Sequence, residues 1–101
     1  MKVKEQDIQK AVMNYLTLVG YFVFKNSTTG IYKKDTGHYI PAQTKGVADL
    51  TAIKNGKVVM LEIKTPTGKM SDNQKSFQQQ WEAKGGRYIC GGLDEIMANC
   101  K

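Results

Sequence analysis

Residues 49–64 read DLTAIKNGKVVMLEIK, two apolar runs joined by Asn55-Gly56. Asn-Gly is the strongest short-range sign of a two-residue hairpin turn, because both central residues of that turn need positive φ. If these two form the loop, Lys54 pairs with Lys57, and stepping outward along both strands brings Asp49 opposite Glu62. Alternation of side chains puts Asp49, Thr51, Ile53, Val58, Met60, Glu62 and Lys64 on one face. Leu50, Ala52, Val59, Leu61 and Ile63 take the other. Both faces are largely apolar, so the two strands are expected at the centre of a sheet.

The ends of this hairpin pose an electrostatic problem. Directly opposed residues have Cβ atoms about 4.5–5.5 Å apart, and two carboxylates at that spacing repel unless a positive charge lies between them. A divalent cation resolves the repulsion, since Mg²⁺ takes hard oxygen ligands, commonly one or two carboxylates with water and phosphate completing its shell. Lys64 adds a further positive charge on the same face. The plain alternative is that the acids are solvated strand ends, with Glu62 and Lys64 a surface ion pair worth under ~1 kcal/mol.

Charge points the same way. The chain has 101 residues, a net charge of +6 and a sequence pI near 9.4, which favours a polyanionic partner, nucleic acid before membrane. Hydrophobic residues make up 41% and charged residues 24%, so the chain has the composition of a folded domain rather than a disordered one. One domain over residues 1–101 is expected. No apolar run approaches the ~18 residues of a membrane span, and MKVKEQDIQK lacks the apolar centre of a signal peptide, so the cytoplasm is the expected location. Cys90 and Cys100 do not form a CxxC and read as reduced packing residues.

Outward from the hairpin, residues 5–19 carry Ile8, Ala11, Val12, Tyr15, Leu16 and Val19 at helical spacing, ended by Gly20. Glu5, three residues before Ile8, falls on the same stripe. YFVFK at 21–25 reads as a strand. IYKK and HYIP flank Asp35-Thr36-Gly37 as a small solvent-facing hairpin or flap. After Thr65-Pro66-Thr67-Gly68, Ser71 and Gln74 form a capping box, Phe77 and Trp81 are expected to face the core, and Gly85-Gly86 stops the helix. RYICG is a further strand and Leu93–Cys100 a short last helix. The order α-β-(hairpin)-β-β-α-β-α predicts an α/β fold, a mixed sheet flanked by helices.

Glu5, then GVAD at 46–49, EIK at 62–64 and Gln74 together resemble the PD-(D/E)XK nuclease superfamily, and most of all its stand-alone virus-type replication-repair nuclease (VRR-NUC) domains. The resemblance runs nearly end to end and includes the Asn26–Gly30 turn and the polar hairpin. Ala48 stands where proline is common in that family, a position that shapes the turn and donates no ligand.

The resemblance implies a restriction-endonuclease-like core and a metal-dependent DNA endonuclease. It implies that Asp49, Glu62 and the backbone carbonyl of Ile63 hold Mg²⁺ or Mn²⁺, and that Lys64 positions water or stabilises developing charge. It makes Glu5 the helix-one acid that reaches a second metal or a metal-bound water, and Gln74 a residue that orients the site. Stand-alone members are similar to Holliday junction resolvases, which implies branched DNA as substrate and a homodimer, since two symmetric cuts need two sites. Leu93, Ile96 and Met97 are candidates for its interface, with core packing the favoured use of those residues.

For DNA contacts the candidates are Lys25, Asn26, Lys33, Lys34, Lys45 and Lys69, with Tyr32, His38 and Tyr39 offering stacking surfaces near the flap. No segment reads as a helix for base readout, so DNA shape rather than sequence is the expected signal. A DNA-binding module without catalysis and a sequence-specific restriction-type nuclease are the alternative readings. A nucleotide site is excluded: Met70 follows Gly68-Lys69 where a phosphate loop needs Ser or Thr. His38, the single histidine, has no partners at zinc-ligand spacing.

Overall fold

The computed structural model describes residues 4–26, 31–33, 37–40 and 44–101. Helix α1 (Glu5–Leu18) leads into strand β1 (Phe22–Lys25), then β2 (Ile31–Lys33) and β3 (His38–Ile40), β4 (Leu50–Lys54), β5 (Lys57–Ile63), α2 (Asp72–Ala83), β6 (Arg87–Gly91) and α3 (Leu93–Asn99). This is the element order predicted from the sequence. β2 and β3 pair as a separate antiparallel hairpin, Ile31 opposite Ile40. Residues 34–36 of the expected flap, and with them Lys34, lie outside the described residues.

The main sheet runs β1-β4-β5-β6. Asn55 (φ 53°) and Gly56 (φ 76°) both take positive φ, as a tight hairpin turn requires. The register follows from that turn: Lys54 faces Lys57 and Leu50 faces Leu61, so Asp49 and Glu62 come next, one step beyond the last ladder pair. β6 joins β5 in parallel, Glu62 opposite Cys90, a pairing that needs the α2 crossover. The sheet is therefore mixed, with the Asn-Gly hairpin at its centre.

One face of the hairpin builds the core. Leu50, Ala52, Val59, Leu61 and Ile63 pack with Val12 and Leu16 of α1, Ile89 of β6, and Ile96 and Cys100 from the C-terminal helix and its cap. Tyr15 Oη donates to the Cys100 carbonyl at 2.6 Å and ties α1 to the end of α3. Neither α1 nor α3 carries a basic residue in its last turn. Strand cations serve those helix ends instead. Lys54 Nζ donates to the Val19 carbonyl at 2.6 Å, and Arg87 donates to the Asn99 carbonyl. Lys54 also sits 5.2 Å from the centre of the Tyr21 ring.

Helix α2 lies on the opposite face, and here an expectation fails. Phe77 and Trp81 do not join the core. They are half-buried, with Phe77 against Tyr88 of β6 at 6.4 Å between ring centres, and α2 has no fully buried residue. The reason is coverage: α2 packs along β6, while Phe22 and Phe24 of β1, Ile53 of β4 and Val58 at the start of β5 stay exposed. In the last helix the favoured expectation of core packing holds for two of the three stripe residues: Ile96 is fully buried and Leu93 packs against the core, while Met97 is exposed.

Candidate active site

The acids of the hairpin meet at one end of the sheet. One carboxylate oxygen from each of Glu5, Asp49 and Glu62 lies within 4.8 Å of the other two. A cavity of about 300 Å³ opens over them, lined also by Gly46, Ser71 and Gln74. Three elements converge here: the first turn of α1, the loop entering β4, and the last residues of β5. Glu5 is itself exposed, so it reaches the site from the helix end rather than from the buried stripe assigned to it above.

Each acid is held differently. Asp49 precedes β4, and its Oδ2 accepts from the Ile63 backbone N–H at 2.9 Å. That bond spans the hairpin where the ladder stops. Glu62 is 1% exposed. Its Oε2 accepts from Gln74 Nε2 at 2.9 Å and lies 3.4 Å from Lys64 Nζ, while its Oε1 is buried with no partner among the described residues. Burial, and next the Asp49 charge, push the Glu62 carboxyl up from its ordinary 4.5 to about 7; Lys64 offsets part of this rise.

Gln74 does two jobs with one amide. Its Oε1 accepts from the Ser71 N–H and its backbone N–H donates to Ser71 Oγ, which closes the capping box of α2. With Oε1 acting as acceptor there, Nε2 is left to face the Glu62 carboxylate. The helix start and the site are thereby one hydrogen-bonded unit.

Several contributors escaped the sequence reading. Gly46 has φ 75°, and a Cβ there would overlap the Asn73 carbonyl, so the loop that delivers Asp49 rests against the start of α2. The signal was present in KGVAD, but a glycine's neighbour across space is not written in the chain. Asn26, a DNA-contact candidate, has its side chain engaged inside: Nδ2 donates to the Ala48 carbonyl at 2.9 Å, and Oδ1 accepts from Thr51 Oγ1 at 2.7 Å. Its N–H donates to the Asp49 carbonyl at 2.9 Å, so it positions the loop before β4. Cys90 is the ladder partner of Glu62, and burial and then the Glu62 charge raise its thiol pKa.

Of the remaining DNA-contact candidates, Lys25, Lys45 and Lys69 are exposed, and the side chains of Lys33, Tyr32, His38 and Tyr39 lie outside the described ones.

The donor set fits a divalent cation. Three carboxylates within reach of one another, one with a buried oxygen that takes no donor among the described residues, make an all-oxygen arrangement of the kind taken by Mg²⁺ or Mn²⁺.

A mixed four-stranded sheet flanked by helices, with a D…ExK constellation at the open end of its central hairpin, forms a restriction-endonuclease-like α/β fold. Comparison with solved structures agrees. A VRR_NUC domain matches 99% of this chain and 100% of its own length, with a TM-score of 0.74 and 19% identical residues. The chain has the VRR-NUC fold. No family model matches the sequence, and no curated protein matches it.

Proposed function

We propose that this protein is a divalent-metal-dependent DNA endonuclease that hydrolyses phosphodiester bonds and selects branched DNA in the manner of a Holliday junction resolvase, acting as a homodimer. The observation that carries this reading is Glu62: a buried carboxylate with one oxygen unpartnered among the described residues, beside Asp49 and Glu5, and in contact with a lysine. A solvated surface ion pair would leave neither acid buried.

In this reading Asp49, Glu62 and the Ile63 carbonyl hold Mg²⁺ or Mn²⁺, with Glu5 as a further ligand. The cation, when bound, polarises a phosphodiester oxygen and lowers the pKa of a bound water. The protein's own groups do the rest. Lys64, 3.4 Å from the Glu62 carboxylate, offsets part of the rise that burial and Asp49 impose on its pKa, and a bound cation would favour its ionised form. Lys64 sits where its ammonium can donate to a phosphate oxygen or fix the attacking water. Gln74 holds the Glu62 carboxylate in one orientation. Lys25, Lys33, Lys34, Lys45 and Lys69 contact the DNA backbone, and the net charge of +6 draws the polyanion in.

The test is incubation of the purified protein with a labelled four-way junction and a duplex control, in Mg²⁺ or EDTA, beside Glu62→Ala. Junction cutting that needs Mg²⁺ and is lost in the variant is expected. Binding without cutting points to a module lacking catalysis. Equal cutting of both DNAs removes the junction preference, and cutting at a fixed base sequence makes the enzyme a restriction-type nuclease. Sedimentation at equilibrium reads the dimer.

A further inference from the structure

A second cavity, of about 470 Å³, lies beside the acidic one at the C-terminal ends of the parallel pair β5 and β6. Open sheets place ligand crevices at such strand ends. The two cavities are neighbours. Glu5 lines the first and Ile8, about one helical turn along α1, lines the second. Glu62 lines the first, and Lys64, two residues further along β5 and roughly 6–7 Å away, lines the second. Lys64 N–H donates to the Gly91 carbonyl at 2.9 Å, so the floor of the second cavity is tied to the site lysine.

Its chemistry differs from the rest of this basic protein. The walls include Ile8, Pro66, Met70 and Leu93. Among the described residues Lys64, already paired with Glu62, is the only cation in the lining, while Asp94 and Glu95 are both exposed there. Two carboxylates repel a phosphate. They accept well from N–H groups, and Glu95 already takes the Gly92 N–H at 2.9 Å with acceptor capacity left over. A flat, neutral, largely apolar group with amino and ring N–H donors on one edge suits these walls. A nucleobase is such a group.

We infer that this cavity receives an unpaired nucleobase next to the phosphate held at the acidic site. The inference rests on the DNA reading above and sharpens its substrate class: DNA with a base already out of the stack. Extruding a base costs least where pairing is already broken, so the cavity gives the enzyme a reason to prefer branch points and mismatches over intact duplex. Guanine, with donors at N1 and N2, matches the acid-lined edge best.

The test is binding in EDTA, which separates it from cleavage. Fluorescence anisotropy compares a duplex carrying one unpaired guanine with the same duplex carrying an abasic residue there. Roughly tenfold tighter binding of the guanine DNA is expected, the scale of one base stacked on protein. Met70→Trp, which fills the cavity, should erase that difference and leave the affinity for abasic DNA unchanged. In wild-type protein an unpaired 2-aminopurine at that position should change its emission on binding. Equal affinity for the two DNAs, which needs no variant to observe, overturns the inference while leaving the nuclease reading intact. Absence of any DNA binding overturns both, and loss of Mg²⁺-dependent cutting with the base preference retained removes only the nuclease.

Discussion

Gln74 Nε2 donates to Glu62 Oε2 at 2.9 Å while the Oε1 of the same amide accepts from the Ser71 N–H. One side chain thus starts a helix and orients a buried carboxylate. Gln74→Glu keeps a residue able to close the capping box but sets a second negative charge against Glu62. The helix should remain by circular dichroism, the Glu62 pKa should rise further, and the rising, acid-side limb of the pH–rate profile should move to higher pH. Gln74→Ala removes both bonds. Loss of the orienting partner is expected to lower activity about 10–100-fold. An unchanged pH profile in Gln74→Glu would show that the amide acts on the helix alone.

Glu62 makes the metal-free protein pH-sensitive. Its folded-state pKa of about 7 lies above its ordinary value of 4.5. The folded chain therefore keeps a proton that the unfolded chain releases across this window, and stability in EDTA falls as pH rises from about 4.5 to 7. The loss is on the order of 3 kcal/mol, complete above pH 7. Glu62→Gln should flatten this contribution and be the more stable protein at pH 8 in EDTA, measured by urea unfolding. Mg²⁺ or Mn²⁺ should raise the melting temperature of the wild type at pH 8 and leave the variant unmoved.

The Gly46 backbone fits against α2 only without a side chain. Gly46→Ala combines left-handed strain with overlap on the Asn73 carbonyl, so a destabilisation of roughly 2–4 kcal/mol is expected. Because this loop delivers Asp49, cleavage at saturating DNA should fall even at temperatures where the variant is folded. Full activity in a folded Gly46→Ala protein would mean that Asp49 is placed independently of α2.

Lys54, at the far end of the hairpin, caps the last turn of α1 from a strand. Lys54→Met keeps the aliphatic stem but leaves the Val19 carbonyl without its ammonium. A loss of about 1–2 kcal/mol is expected in thermal or urea unfolding, with kcat for DNA unchanged. A fall in kcat would implicate this end of the sheet in catalysis.

The sequence by itself determined the hairpin and, through it, most of the site. Asn55-Gly56 demands positive φ at two successive residues, which sets the turn, and a turn of fixed length sets the register of both strands. That is why Asp49 and Glu62 could be brought together by counting. The capping box at Ser71 and Gln74 was legible for the same reason, since its bonds span three residues. What lies across space was not. Whether Phe77 and Trp81 entered the core depended on how far α2 spreads over its face of the sheet, a matter of packing between segments distant in sequence. The fit of Gly46 on Asn73, the inward turn of Asn26, and the cavity beside Lys64 likewise arise where separate segments meet. Local backbone preference fixes pairs a few residues apart; only the packed sheet and helices decide which distant side chains share a wall, and so what the site can hold.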